Sequence, residues 1–576
     1  MKHNISLYKN SDRLHLLLLG LWLVIGMSLR FANLDAKPAS SIEIATIGFS
    51  LGQGFAEIPL DRVVDISTLL SPLKFNPALD YSDVFNRLMG ESTHPPLYFW
   101  LTHWWIELFA DDGQLVSLTL GRSLSAIFGG LAIPAIFGLS LVAFRSHLTA
   151  HLAAALMAVS PYGIYLAQEA RHYTLTILWI IASLTCLAIA ARYIERRNRL
   201  PIWLCCLWIV INALGIATHY FFALALGAEA LVVVGLCFWD FKRDLARFSF
   251  SYWWRIIAVG LGTLAGCLVW LPVATSISGN ELTDWIQTSY DLDDIWQPIP
   301  RLIAWLITMV MLLPIEGTPT AVTVISALVV LLALIWLIPA LIRGWQSSLR
   351  NEFSLPLKVL IGYWLRAIAI CLLVIYGLGK DISLAARYHF VYFPVVIVSI
   401  AVALANLWQT QIQPLTKNKH PWFYAEGRKV AIIMLLMGLL GSLTVVNDFG
   451  FQKSRHSDSL AKHIQVTSTV PSIVVTTYET SSQLRELVAL ALSLERVRSH
   501  NSRLQQFDLP KFLLIRKTDT NQTTLNKILA SQPKPLDLWG VSFKEDEQNL
   551  AYLNCIKDSR AKLADSGYRH QLFHCR

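Results

Sequence analysis

The sequence predicts a polytopic α-helical membrane protein that carries a small α/β domain at its C-terminal end, and three observations predict it. Of 576 residues, 54% are hydrophobic and only 15% are charged, whereas soluble domains carry roughly 25% charged residues. The charges are unevenly spread: 30 of the 87 fall in residues 452–576, about 24% of that stretch, and 57 fall in the other 451 positions, about 13%. Apolar stretches of about 20 residues, enough to cross a bilayer as helix, recur through the charge-poor part. Together these exclude a soluble enzyme, a secreted disulfide scaffold and a disordered chain.

Eleven spans are expected, at about 14–32, 122–144, 148–166, 173–191, 201–218, 221–239, 256–275, 319–342, 358–379, 388–407 and 429–447. The first is followed by no small-residue cleavage site and reads as a retained anchor. Basic residues flank the spans in five sets: Lys2, Lys9 and Arg13; Arg192, Arg196, Arg197 and Arg199; Lys242, Arg243, Arg247 and Arg255; Arg343 and Arg350; Lys417, Lys419, Arg428 and Lys429. With the N-terminus cytoplasmic and eleven crossings, all five sets lie on the cytoplasmic side, as the positive-inside rule requires. The net charge of +9 is therefore an orientation signal and not a nucleic-acid surface. The apolar runs 95–109 and 300–314 are too short to span and are expected as helices along the outer face, where Trp100, Trp104 and Trp105 suit the interface.

This organisation gives a membrane-embedded module over 1–451, with a first outer loop at about 33–121, and a soluble domain over 452–576. In the tail, Ser472–Thr477, Phe512–Lys517 and Leu538–Phe543 read as strands and Ser481–Val497 and Asn554–Asp565 as helices. Six of the eight cysteines sit in or beside spans as small packing residues, while Cys555 and Cys575 could pair in an oxidising compartment.

Ionisable residues beside spans invite a functional reading, and here they gather at the outer ends. They stand in Asn33-Leu-Asp-Ala-Lys-Pro leading to Glu43 and Thr46, in Glu91-Ser-Thr-His94-Pro-Pro-Leu-Tyr98, in Gln168-Glu-Ala-Arg171-His-Tyr173, in Thr218-His219-Tyr220 and in Arg387-Tyr-His389. Carboxylates, histidines and arginines converging from five segments suit a site that holds a phosphate leaving group and moves a proton.

Asn-Leu-Asp-x-Lys-Pro ahead of an acidic position, His-Pro-Pro-Leu-Tyr, Ser-Pro-Tyr-x-x-Tyr-x-x-Gln-Glu-Ala-Arg-x-Tyr and Thr-His-Tyr-Phe, in that order, resemble the C-type (GT-C) integral-membrane glycosyltransferases. The nearest branch is the bacterial family 39 group, similar to protein O-mannosyltransferases and lipid A aminoarabinose transferases. The resemblance covers roughly the first 450 residues. It implies a polyprenyl-phosphate-linked sugar donor, a periplasmic acceptor hydroxyl, inversion at the anomeric carbon and residence in the inner membrane. One departure matters. After Lys-Pro the family pattern runs x-Trp-x-Asp-Glu-x-x-Thr, with the Asp as general base, and this chain has Ser40 at the Trp position and Ile42 at the Asp position. An isoleucine takes no proton, so Glu43 becomes the candidate catalytic carboxylate. The alternatives are a different base for a different acceptor, or a relative that no longer catalyses.

Each candidate also has a plainer reading. Glu43 could be solvated in a long loop, and His94 could serve only the extended backbone before Pro95. Glu169 and Arg171 could hold each other at a helix end, although the family places their motif beside the donor phosphate. Tyr173 belongs to that same motif. His219 could be an interface histidine. Arg387 could snorkel to the headgroups, against bidentate grip of a lipid phosphate, and Arg122 is a weaker candidate for that task. No metal-ligand spacing stands out, so a divalent ion is not implied.

The expected function is transfer of a sugar from a polyprenyl-phosphate donor to a periplasmic hydroxyl. One rival is a catalytically impaired relative that binds polyprenyl lipid or assists another transferase. The other is a transporter, against which stand the lack of a repeated half and the gathering of charges at one face. Neither the sugar nor the acceptor is legible.

Overall fold

The computed structural model describes residues 2–576 apart from 93, 244, 246–248, 277–285, 288–293, 351–353, 410–426, 500–507, 518–520, 544–553, 559–562 and 564–565. Arg247, Lys417 and Lys419 of the basic sets lie outside the described residues. The chain divides into two compact units, one of residues 1–34, 93–98 and 122–451 and one of residues 35–92, 99–121 and 452–576.

The first unit is helical. Seven described helices are long and apolar enough to cross a membrane, and the pair His147–Ala158 and Pro161–Ala167, bent by 55°, makes an eighth if taken as one span. The other three expected spans correspond to Ile202–Thr218, Phe250–Leu268 and Phe393–Gln409, of 17, 19 and 17 residues. Leu97–Glu107, of which 99–107 belong to the second unit, and Pro298–Thr308 are 11 residues each, too short to span.

The bend in the third span frees carbonyl groups that a continuous helix would use. Arg30, fully buried in the last turn of Lys2–Phe31, supplies them with donors. Its guanidinium donates to the carbonyls of Met157 (2.9 Å), Ala158 (3.2 Å) and Gly26 (2.9 Å). Room for it comes from Gly26 and Gly129, where an added Cβ would stand 3.0 Å from Arg30 nitrogens. Ser160 caps the second half of the span, accepting from the Gly163 N–H at 3.0 Å, and Ser442 donates to the Val159 carbonyl at 2.8 Å.

A second polar group lies among Tyr173–Glu195, Ile202–Thr218, Phe222–Arg243 and Phe250–Leu268. The Ser183 hydroxyl stands 2.8 Å from both Asn212 Oδ1 and Glu229 Oε2 and accepts from Trp208 Nε1, while Asn212 Nδ2 donates to Thr263. Ser183 has one proton to give. One assignment that satisfies every contact has Ser183 donating to Asn212 and a Glu229 hydroxyl donating to Ser183, and substitution of Glu229 tests it. Glu229→Gln, which keeps a donor there, is expected to change thermal stability by less than about 1 kcal/mol, and Glu229→Leu to cost about 1–3 kcal/mol. Equal losses in calorimetry would contradict this count.

The second unit is built on a six-stranded sheet: β1 Val63–Val64, β2 Ser472–Tyr478, β3 Lys511–Arg516, β4 Leu536–Val541, β5 Cys555–Asp558 and β6 His570–Cys575, in the order β1-β3-β2-β4-β6-β5. β3, β2 and β4 are parallel, and β1, β5 and β6 join antiparallel. The inner strands are buried on both faces, with Ile473, Val475, Leu513, Ile515 and Leu538 in one apolar layer. Ser481–Ser499 and Asn521–Ala530 make the two crossovers. The expected strand at Leu538–Phe543 begins two residues earlier and ends where Ser542 turns left-handed, at φ 51°. The helix expected over Asn554–Asp565 is instead β5 in its described part, because Cys555 lies opposite Cys575 on β6 and the two are disulfide-bonded.

β1 comes from the first loop, yet Val63 and Val64 pair with Leu513 and Phe512 of the tail. Both segments must therefore lie on the same side of a membrane, and the chain between them crosses an even number of times. Ten of the eleven expected spans fall in that interval.

Candidate functional site

The first unit holds six of the seven expected residues, all but Glu43, at or beside helix ends. Pro161–Ala167 and Tyr173–Glu195 are joined by the turn 168–172, which holds Gln168, Glu169 and Arg171. Gln168 anchors this turn, donating from Nε2 to the carbonyls of Ala32 (2.8 Å) and Leu29 (3.4 Å) past the end of the first helix. Arg171 Nη2 then meets His94 Nε2 at 3.0 Å. A guanidinium only donates, so His94 accepts at Nε2 and is a neutral imidazole with its proton on Nδ1. The Arg171 guanidinium also lies 5.5 Å from the Tyr173 ring centre.

His219 ends Ile202–Thr218, and its ring lies 6.2 Å from His94 and 5.8 Å from Tyr173. Its Nδ1 accepts from the Phe221 N–H at 2.9 Å. Arg387 enters from the short helix Ala386–Val391, over the Tyr388 ring at 5.2 Å. Burial, and then the charges of Arg171 and Arg387, push His219 down to about 3. Glu169 is buried in the same turn and adds its negative field at Arg387.

His172 was not among the residues expected to act, although it stands between Arg171 and Tyr173. It is fully buried, 4.2 Å from the His219 ring and 5.2 Å from the His94 ring. Burial, with His219, Arg171, His94 and Arg387 adding repulsion, holds it well below the usual histidine range. Two arginines and one buried carboxylate, Glu169, thus stand among imidazoles and aromatic rings, a group of net positive charge. Arg122 is fully buried and donates to the Leu34 carbonyl at 2.9 Å.

These histidines are neutral when folded and take up protons when unfolded, so stability falls as the pH drops from about 6.5 toward about 3. The slope approaches about 1.4 kcal/mol per pH unit for each. Unfolding followed between pH 7 and 4 is expected to show this loss, and His219→Gln to flatten it; an unchanged slope in the variant would remove His219 as its source.

Glu43 belongs to the second unit. It is residue N3 of Ser41–Ser50 and closes a capping box, its Oε2 accepting from the Ser40 N–H and hydroxyl, both at 3.1 Å. Glu43 is fully buried, and Lys453, also buried, lies 3.3 Å from the same oxygen. Lys453 was not anticipated; its only signal in the sequence is being the first cation after the last span.

Among the described residues, no group of three His, Cys, Asp or Glu side chains is arranged to hold a metal ion. The sequence matches no family profile and no curated protein. Solved structures do match. The fold is similar to that of ArnT from Cupriavidus metallidurans bound to undecaprenyl phosphate, with TM-score 0.51 and 11% identity over 96% of this chain and 97% of that one. Apo ArnT gives TM-score 0.50 and 12% identity over the same shares. The oligosaccharyltransferase AglB from Archaeoglobus fulgidus, in complex with an inhibitory peptide and a dolichol-phosphate, matches at TM-score 0.47 and 12% identity over 90% of this chain and 71% of that one.

Proposed function

From a chain with the GT-C fold of membrane glycosyltransferases, we propose that this protein transfers a sugar from a polyprenyl-phosphate-linked donor to a hydroxyl on the periplasmic side, with inversion. The observation that carries the reading is the cluster of Arg171 and Arg387 with neutral His94, His172 and His219. The arginines hold the donor phosphate and stabilise the charge that grows on its oxygen as the glycosidic bond breaks. His94 keeps Arg171 aimed, and Tyr173 packs beneath it. The acceptor oxygen attacks the anomeric carbon, polyprenyl phosphate departs, and the hydroxyl proton passes to a carboxylate. Glu43 is the candidate for that role, since Ile42 cannot serve. The orientation that goes with this reading has the N-terminus cytoplasmic and the second unit periplasmic, in the inner membrane.

A second reading is favoured by one observation. Glu43 is fully buried, with one oxygen already taken by Ser40 and Lys453, as in a relative that binds polyprenyl lipid without turning it over. Transfer from a radiolabelled lipid-linked sugar, measured for wild type, Glu43→Gln and Ile42→Asp, separates the two. Catalysis through Glu43 is expected to fall at least a hundredfold in Glu43→Gln. Full activity in that variant eliminates Glu43 as the base. An inert wild type that gains activity in Ile42→Asp establishes the impaired relative.

A further inference from the structure

The sheet of the second unit has a switch point. From β2 the chain crosses through Ser481–Ser499 to β3 on one side, then returns through Asn521–Ala530 to β4 on the other. The connections leaving the C-terminal ends of β2 and β3 thus run to opposite sides of β2, which opens a crevice where open α/β sheets bind ligands. Here it has a volume of about 430 Å³, within the roughly 300–1,000 Å³ of small-molecule sites.

Its walls follow from the topology. Glu479 comes just after β2, Ser482 from the first turn of the following helix, Phe543 just after β4, and Arg569 just before β6, whose His570 pairs with Val541. The charges sort into used and unused. Glu479 pairs with Lys517 at 2.9 Å, and Glu486 with Arg455 at 3.6 Å. Arg455 is further fixed by the Gly567 carbonyl and by the Tyr568 ring at 5.2 Å. The helix N-terminus is closed from within, since Thr480 accepts from the Ser482 N–H and Gln483 Oε1 accepts from the Thr480 N–H. Arg569 is exposed and has no ion-pair partner among the described residues.

We infer that this crevice is a saccharide site for a pyranose bearing a carboxylate or a phosphate. The sugar's C–H face lies on the Phe543 ring, its hydroxyls reach Glu479 and Ser482, and its anionic group is held by Arg569. Planar charged side chains with two hydrogen-bonding atoms beside one aromatic face fit vicinal hydroxyls, and the exposed Arg569 guanidinium fits the anion in bidentate fashion. That the sugar belongs to the acceptor rests on the transfer reading above; that it binds does not.

Full-length protein in nanodiscs is titrated calorimetrically with glucose, glucuronate, glucose 6-phosphate and inorganic phosphate, with hydrogen exchange followed over 479–486 and 541–543. At least one anionic sugar is expected to bind tenfold or more tighter than glucose and than inorganic phosphate, and to protect both segments. Arg569→Ala is expected to bring that advantage below threefold, and Phe543→Ala to weaken every sugar at least fivefold. Inorganic phosphate binding as tightly as the sugar phosphate, protection elsewhere, absence of binding, or binding untouched in both variants would each overturn the inference. Sugar transfer is assayed on the same preparations: binding without transfer fails only the transferase reading, and transfer without binding fails only this one.

Discussion

Arg171→Ala is expected to lower sugar transfer by at least a hundredfold while the helical unit stays folded. The size follows from what one preorganised donor to a developing anion contributes, about 2.7–4 kcal/mol in a water-poor site. Arg171 is well prepared: its turn is pinned by Gln168, its Nη2 is 3.0 Å from a neutral His94, and the Tyr173 ring lies 5.5 Å from its guanidinium. Arg171→Lys keeps the charge without the fork and is expected to recover only part of the loss. Arg387→Ala should lose a comparable factor, and the double variant less than the product of the two, because both act on one phosphate. The measurements are kcat with a labelled lipid-linked donor and binding of polyprenyl phosphate. Wild-type kcat in Arg171→Ala would remove the cluster from the chemistry. A pure KM effect would leave it a role in donor binding alone.

Arg30→Met is expected to destabilise the helical unit by about 2–5 kcal/mol, because each buried carbonyl left without a donor costs about 1–3 kcal/mol. The carbonyls of Met157 and Ala158 lose their donor at once, while that of Gly26, inside its own helix, keeps a backbone N–H. Met keeps volume and removes only hydrogen bonding, so the experiment isolates the polar part of the loss. Thermal unfolding in a fixed detergent reads it, and a change under about 1 kcal/mol would mean that the bend satisfies itself.

Much of the helical unit was legible because lipid imposes a simple rule: backbone hydrogen bonds close inside each helix, so length and apolarity suffice. The bent third span shows where the rule ends, since its break at Val159 and Ser160 depends on donors from Arg30 and Ser442, far off in sequence. The cluster of His94, Arg171, Tyr173 and His219 was legible through motif order, and the structure joins these residues by direct contact. His172 was not singled out, because its burial is a tertiary fact. The partner of Glu43 was equally hidden, for Lys453 carries no local pattern. β1 is two residues long, and no periodicity can announce a strand of that length.

That short strand also sets a timetable. The first loop leaves the ribosome long before β3, so β1 stays unpaired while the later spans are made, and Glu43 waits through the same spans for Lys453. Contacts of such separation form late and slowly. Throughout elongation the loop therefore carries a carboxylate awaiting its cation and an unpaired strand edge, the state in which chains stick to one another. A protein stopped after its last span would hold that state permanently, because β3 and Lys453 both lie beyond it.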